Sequence, residues 1–226
     1  MYTDKTAVLN DLVNFGRRVA HEKLVVGPGG NTSIRLSRAE GDIIYMKASG
    51  RCFEDGNQAD YIGVDPATAT VCDGALKPTC EIHLHLACYA ERPDVHAVLH
   101  SHAPIATAYA MRGEPLRAFT PDMVAVVGEL VPVVEYIPPA GTELAETCRP
   151  LLRAHNAILL KNHGLLAVGS TMKEAFYRTM VIEDAVRTML AACVFGAMHF
   201  FTPEQAAQIN GMDAEKYRRE MLKKTC

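Results

Sequence analysis

Residues 79–102, TCEIHLHLACYAERPDVHAVLHSH, carry a helical pattern that gives way to an extended one. Ile82, His85, Leu86 and Tyr89 recur at helical spacing from Glu81 to about Ala90, with Thr79 placed as an N-cap. Ala97, Val98 and Leu99 then form an apolar run that ends in His100-Ser101-His102. Side chains two apart on a strand point to the same face, so both imidazoles can reach one ion. A further histidine, His163, stands in Lys161-Asn162-His163-Gly164, between the buried-strand pattern of residues 157–160 and the apolar run 165–168. Three neutral imidazoles, with a fourth position open or filled by a carboxylate, are the donor set of a catalytic zinc. Structural zinc is usually closed by four ligands, often thiolates, and this chain has no Cys-x-x-Cys pair to supply them. Taken alone, the His-x-His pair fits two packed or solvated histidines better than two ligands in a chain with nine. Glu81 in a first helical turn also suits the positive end of the helix dipole, His163 also suits a buried structural role, and His83 and His85 read as solvated or packed.

Working outward, the 226 residues are 49% hydrophobic, enough for one large core, and nothing resembling a linker divides them, so one domain over residues 1–226 is expected. A formal charge of −3 without any basic run gives no general attraction to nucleic acid or an anionic membrane. Any anionic ligand must therefore be met by local groups. No apolar stretch reaches the roughly 18 residues of a membrane span, and the first fifteen residues lack a basic segment followed by an apolar one, which predicts a cytoplasmic protein. Seven scattered cysteines, an odd number, read as reduced thiols packed as small apolar groups.

Val8, Leu12, Phe15 and Val19 predict an amphipathic helix over the first twenty or so residues, with Thr3 and Asp4 as candidate caps. Residues 27–33, GPGGNTS, form a turn with neither the lysine of a P-loop nor dinucleotide-fingerprint spacing. Strand patterns surround residues 43–46, 61–64 and 69–71, and Ala48-Ser49-Gly50 and Pro78-Thr79-Cys80 make two further small turns that can converge with the first. A short helix is expected over residues 103–111, strands over 124–127 and 131–134, and a helix from Glu143 to Ala154 behind Thr142. Thr171 and Glu174 fit a capping box that opens a long helix to about Phe195, Thr202 starts another, and residues 213–224 form a charged helix carrying Tyr217. Asp122 lies in the loop before the first of those two later strands.

Gly30-Asn31, Ser49-Gly50, Glu81 with His85, Tyr89, the segment Arg92-Pro93-Asp94-Val95, His100-x-His102 and Asn162-His163-Gly164 occur in the order and rough spacing of the class II aldolase/adducin family, which the chain resembles over nearly its whole length. The family includes L-fuculose-1-phosphate aldolase, L-ribulose-5-phosphate 4-epimerase, sugar-acid phosphate decarboxylases and the non-enzymatic adducin head domains. The resemblance implies an α/β fold, a single three-layer domain with a central mixed, largely antiparallel sheet covered by helices, assembled as a homotetramer. It implies zinc, or another divalent metal such as Mn²⁺, on His100, His102 and His163, with Glu81 as the acid/base that can also approach the metal. It further implies substrate phosphate held by Gly30, Asn31, Ser49, Gly50, Thr79 and Cys80. Glycine turns and a helix N-terminus are natural anion donors, so this agrees with the residues themselves. The pair Thr79-Cys80 departs from the two serines usual in the related aldolases, and a thiol is a poorer donor than a hydroxyl.

The shared chemistry of the family's enzymes is an enediolate stabilised on the metal. The expected reaction is retro-aldol cleavage of a small ketose phosphate to dihydroxyacetone phosphate and an aldehyde; the alternatives are decarboxylation of a 3-oxo sugar-acid phosphate and an adducin-like interaction domain. Glutamate at position 81 stands against the epimerases, which the resemblance says carry aspartate there, and the complete ligand set stands against adducin. Related enzymes complete their sites with tyrosines or acidic residues partly from a neighbouring subunit, which makes Asp122 and Tyr217 further catalytic candidates.

Overall fold

The structure, a computed structural model, describes residues 2–224. Helix α1 (Lys5–His21) is capped by Asp4, whose carboxylate accepts the Ala7 N–H at 2.8 Å, and it buries the stripe of Val8, Leu12, Phe15 and Val19. Strands β1 (Asn31–Leu36), β2 (Ile43–Lys47), β3 (Tyr61–Asp65) and β4 (Thr70–Asp73) follow, then α2 (Ile82–Glu91), β5 (Ala97–Ser101) and α3 (Pro104–Ala110). The short strands β6 (Leu116–Arg117), β7 (Leu130–Val131) and β8 (Val133–Val134) precede α4 (Glu143–Leu152), β9 (Ala157–Leu160) and β10 (Gly164–Gly169). Helices α5 (Met172–Ala192), α6 (Pro203–Gly211) and α7 (Asp213–Leu222) close the described chain.

Eight strands form one sheet in the order β4-β3-β2-β1-β5-β10-β9-β8, antiparallel at every step but β8–β9, which is parallel. Helices cover both faces, because alternate residues of the central strands feed two separate cores. Ala97 and Leu99 of β5, Ile34 of β1 and Leu165 of β10 face a core filled by Leu12 and Phe15 of α1, Ala106 of α3 and Phe176 and Ile182 of α5. Val98, Leu166, Ile44 and Met46 face the other, against Leu84 and Cys88 of α2 and Leu144 and Cys148 of α4. By the same alternation His100 shares the face of Val98 and α2.

Buried charges on the first face are answered locally. Glu183 accepts the Ile105 and Ala106 N–H groups at the start of α3, at 3.1 and 2.8 Å, where the helix dipole favours a carboxylate. Glu174 pairs with Arg178 at 2.8 Å, and Arg178 Nε also holds the Val126 carbonyl at 2.9 Å.

Several sequence expectations change. Residues 124–127 are not a strand: Met123–Val127 is a π-helical turn, closed by Gly128 N–H to the Met123 carbonyl at 2.9 Å. A short buried apolar run has no periodicity to separate strand from helix, and here the Val126 carbonyl is taken by a side chain and not by a ladder. Residues 131–134 split into β7 and β8 in different sheets. Strand β1 replaces the polar end of the expected turn 27–33 and lies at the centre of the sheet. The Thr171 box is one-sided, since Thr171 accepts the Glu174 N–H at 3.1 Å while Glu174 turns to Ser170, whereas Thr202 and Gln205 form the reciprocal box. The six described cysteines are free, but only Cys88 and Cys148 are packed in the core as expected; Cys72, Cys80 and Cys193 are exposed because their positions lie at the sheet edge, on a turn and past the end of α5. No helix among the described residues is long and apolar enough to cross a membrane.

Candidate active site

The site lies at one end of the sheet, where β1 begins, β2 and β5 end, and β9 turns into β10. Asn31 is registered with His100 across β1–β5, and His100 with Leu166 across β5–β10, so neighbouring strands bring these side chains together. The three small turns converge as their composition suggested. Ser49 N–H donates to the Lys77 carbonyl at 2.9 Å, and Ala48 bridges Pro78, which ties residues 48–50 to the segment entering α2. Gly30 has φ +63°, and a Cβ there would lie 2.8 Å from the His100 carbonyl oxygen, so the turn both needs a left-handed residue and has no room for a side chain. A Cβ at Gly164 would strike the Ser101 carbonyl oxygen. That glycine is what lets the β9–β10 turn, with Asn162 at φ +55°, close on β5 and deliver His163.

One ring nitrogen from each of His100, His102 and His163 lies within 4.8 Å of the others. His100 Nε2 is 3.1 Å from His102 Nε2 and 3.4 Å from Glu81 Oε2, and His163 Nε2 is 3.3 Å from Glu81 Oε1. Bonds of about 2.0–2.1 Å in a tetrahedron put neighbouring donors about 3.3 Å apart, so these spacings suit a divalent ion. His100 Nδ1 donates to the Leu165 carbonyl at 3.2 Å, which leaves Nε2 bare for a ligand. Burial, then the neighbouring imidazoles His163 and His102, hold His100 well below the ordinary histidine range; burial also lowers His102, and lowers His163 against the pull of Glu81. All three are therefore disposed to be neutral, as metal ligation requires.

Glu81 is only 4% exposed and takes the N-cap position of α2 that was expected of Thr79, so the helix starts two residues later than that cap would give. Its Oε2 accepts Asn31 Nδ2 at 2.8 Å, while Oε1 is buried without a hydrogen-bond partner. Burial raises its carboxyl above the ordinary range, against the hydrogen bond from Asn31 and the charges His163 and His102 can carry. A buried carboxylate oxygen without a donor, beside three uncharged imidazoles, fits the divalent ion that the donor set implies.

A cleft of about 200 Å³ opens over this centre and is lined by Gly30, Asn31, Ser49, Gly50, Thr79, Cys80, Glu81, His102 and His163, together with Lys47. Lys47 was not singled out from the sequence. It is buried, its Nζ donates to the Pro28 carbonyl at 2.9 Å and to the Arg51 carbonyl, and it stands 4.7 Å over the Phe53 ring. Burial pulls its ammonium down to about 8. The usable signal was a lone lysine in the strand run just before a Ser-Gly turn. Asp122 and Tyr217 do not line this cleft. Asp122 pairs with Arg218 of α7 and borders a different hollow with Met180 and Asp184, and the neighbouring Tyr217 is 63% exposed.

Residues 10–190 match the family of the class II aldolase and adducin N-terminal domain, and the chain belongs to that family. Its relatives include an L-fuculose phosphate aldolase of Methanococcus maripaludis, 35% identical over 77% of this chain and 93% of that protein. A 5-methylthioribulose-1-phosphate/5-deoxyribulose-1-phosphate aldolase of Rhodospirillum rubrum is 31% identical over 80% of this chain and 79% of its own. A solved L-fuculose 1-phosphate aldolase superposes with a TM-score of 0.85 at 29% identity, covering 96% of this chain and 98% of that one.

Proposed function

We propose that this chain is a zinc-dependent aldolase that cleaves a small ketose 1-phosphate into dihydroxyacetone phosphate and an aldehyde. The observation that carries the reading is the buried Glu81 carboxylate placed against three convergent neutral imidazoles at the floor of a turn-lined cleft. His100, His102 and His163 would hold the ion, with Glu81 beside it. Zinc or a similar divalent ion, when bound, supplies Lewis acidity to the ketose carbonyl and stabilises the charge left by C3–C4 cleavage. As C3–C4 breaks, the C4 hydroxyl releases its proton to water and becomes the aldehyde carbonyl, while Glu81, whose burial favours its protonated form, delivers a proton to C3 of the three-carbon fragment and in the synthetic direction removes it. Gly30, Ser49, Gly50, Thr79 and Cys80 surround the phosphate with N–H and hydroxyl donors, Asn31 borders it, and Lys47 brings a cationic side chain to the cleft wall. The thiol of Cys80 adds little to that set.

In this reading the family's homotetrameric assembly is also adopted, and Asp122 and Tyr217, grouped on an exposed surface, act only if a neighbouring subunit presents them to the cleft. The test combines metal analysis with a substrate panel. About one divalent ion per chain is expected, lost in His102→Ala. L-fuculose 1-phosphate and 5-methylthioribulose 1-phosphate should yield dihydroxyacetone phosphate, and the protein alone should exchange the C3 proton of dihydroxyacetone phosphate with deuterated solvent. Carbon dioxide release from a 3-oxo sugar-acid phosphate without such exchange would favour the decarboxylase, and active protein without metal would sink the reading.

A further inference from the structure

Behind Asn31 runs a buried hydrogen-bond chain that no step above uses. Tyr89 Oη lies 2.7 Å from Ser33 Oγ, and Ser33 Oγ lies 2.6 Å from His85 Nδ1. His85 Nε2 bonds Asn31 Oδ1, and Asn31 Nδ2 reaches Glu81 Oε2 at 2.8 Å and Thr79 Oγ1 at 3.1 Å. The direction of every bond is fixed by what each group can do. A carboxylate accepts, so Asn31 turns its NH₂ to Glu81 and its oxygen to His85. An amide oxygen accepts, so His85 carries its proton on Nε2, and its Nδ1 must accept from the Ser33 hydroxyl. Ser33 Oγ in turn accepts from Tyr89. Donors thus run one way, from Tyr89 to Glu81, and all of Asn31's side-chain donors are spent inside the protein. Ser33 owes its place to the polar start of β1, and His85 and Tyr89 stand four apart on the α2 face turned toward the sheet.

We propose that His85, Ser33 and Tyr89 are positioning residues, which lock the Asn31 amide so that it holds Glu81 Oε2 and leaves Oε1 as the oxygen that exchanges the substrate proton. Without an obligate donor on Oδ1, the Asn31 amide is no longer held in a single orientation, and its hydrogen bond to Glu81 Oε2 is loosened. The kinetic consequence rests on the aldolase reading; the hydrogen-bond geometry does not.

The test uses a pair of substitutions at one position. In His85→Gln the side-chain amide nitrogen can sit where the imidazole Nε2 lies and still donate to Asn31, whereas the shorter side chain of His85→Asn reaches only as far as Nδ1. Zinc-loaded His85→Asn should lose about 10–100-fold in kcat on L-fuculose 1-phosphate, with KM and bound metal unchanged, and His85→Gln should recover most of it. In the metal-free protein, ¹⁵N NMR should find the His85 proton on Nε2 and two slowly exchanging Asn31 amide protons, the slow exchange kept in His85→Gln and lost in His85→Asn. Equal kcat and equal amide protection in the two variants would overturn the proposal, as would a change confined to KM. If neither variant folds, Tyr89→Phe removes one hydroxyl at constant volume, and it should lower both kcat and Asn31 protection; no change in either would also overturn it. A wild type that cleaves no ketose phosphate and exchanges no proton defeats the aldolase reading alone, since the NMR arm still decides whether the chain holds Asn31.

Discussion

The cleft at the sheet end and the surface shared by Asp122 and α7 each set carboxylates beside basic groups, in opposite surroundings. At the cleft, Glu81 and His100 are almost wholly withdrawn from water, so burial moves their protonation and each polar atom is assigned a partner or left bare. At the α7 surface, Arg218 is shared between Asp122 and Glu215, with Tyr217 standing in solvent. Asp122 and Arg218 both stand largely in water, which screens that pair, and exposed ion pairs contribute only about 0–1 kcal/mol. Identity of residue type is therefore a poor guide to chemistry; withdrawal from solvent with a defined partner is the better one.

The largest expected effect that would break this contrast is at Glu81. Glu81→Gln keeps the size and the helix start but removes the proposed base, so turnover should fall by about 10²–10⁴-fold while metal content persists. Solvent-deuterium exchange into dihydroxyacetone phosphate measures that step directly, and exchange at the wild-type rate would assign the base elsewhere. Next in size is Lys47→Met, expected to raise KM for a ketose phosphate about 10–100-fold, the worth of about 1.5–3 kcal/mol for a hydrogen bond to a charged group. The same variant should treat the unphosphorylated ketose like wild type; an equal loss on both would make Lys47 a structural cation for the Pro28 and Arg51 carbonyls.

A smaller effect is readable in pH. Burial holds His85 neutral, down to about 3 in the folded chain, against about 6.5 unfolded. The unfolded chain takes up the proton first on acidification, so this contribution to stability is complete above about pH 6.5 and is lost as pH falls toward 3. Urea midpoints of the metal-free protein should drop over that window at up to about 1.4 kcal/mol per pH unit for this group. His85→Gln, which does not titrate, should show a shallower slope by that amount, and an identical slope would mean His85 is accessible to protons. Smallest is Asp122→Asn, which removes an exposed pair and should shift stability by less than about 1 kcal/mol in a thermal melt. If it instead costs turnover only in the assembled enzyme, a neighbouring subunit brings Asp122 to the cleft and the contrast holds for the single chain alone.

Much of this architecture was readable from residue order. The helical stripe of α1, the apolar runs of β5, β9 and β10 and the cap of α6 follow from short-range pattern, and His-x-His at the end of such a run fixed two imidazoles on one face. What stayed hidden depends on partners distant in sequence. Strand β1 begins Asn31-Thr32-Ser33, which looks like a turn until α2 supplies His85 and Tyr89 to receive those polar groups. The run 124–127 has strand-forming valines, yet tertiary packing and Arg178 make it a π-helical turn. Lys47 looks like an ordinary strand-end lysine until Pro28 and Arg51 fold over it.

Gly164 carries a consequence for how this scaffold can change. The backbones of β5 and β10 approach so closely there that even one methyl group is excluded, and Gly30 packs on the His100 carbonyl with the same intolerance. The imidazole end of the cleft is thus written into main-chain contacts that a substitution cannot adjust gradually. Ser49 and Cys80, by contrast, sit on turns where side chains can be exchanged without moving a strand. Adaptation toward new substrates has its open route through those turns, with the imidazole half inherited intact.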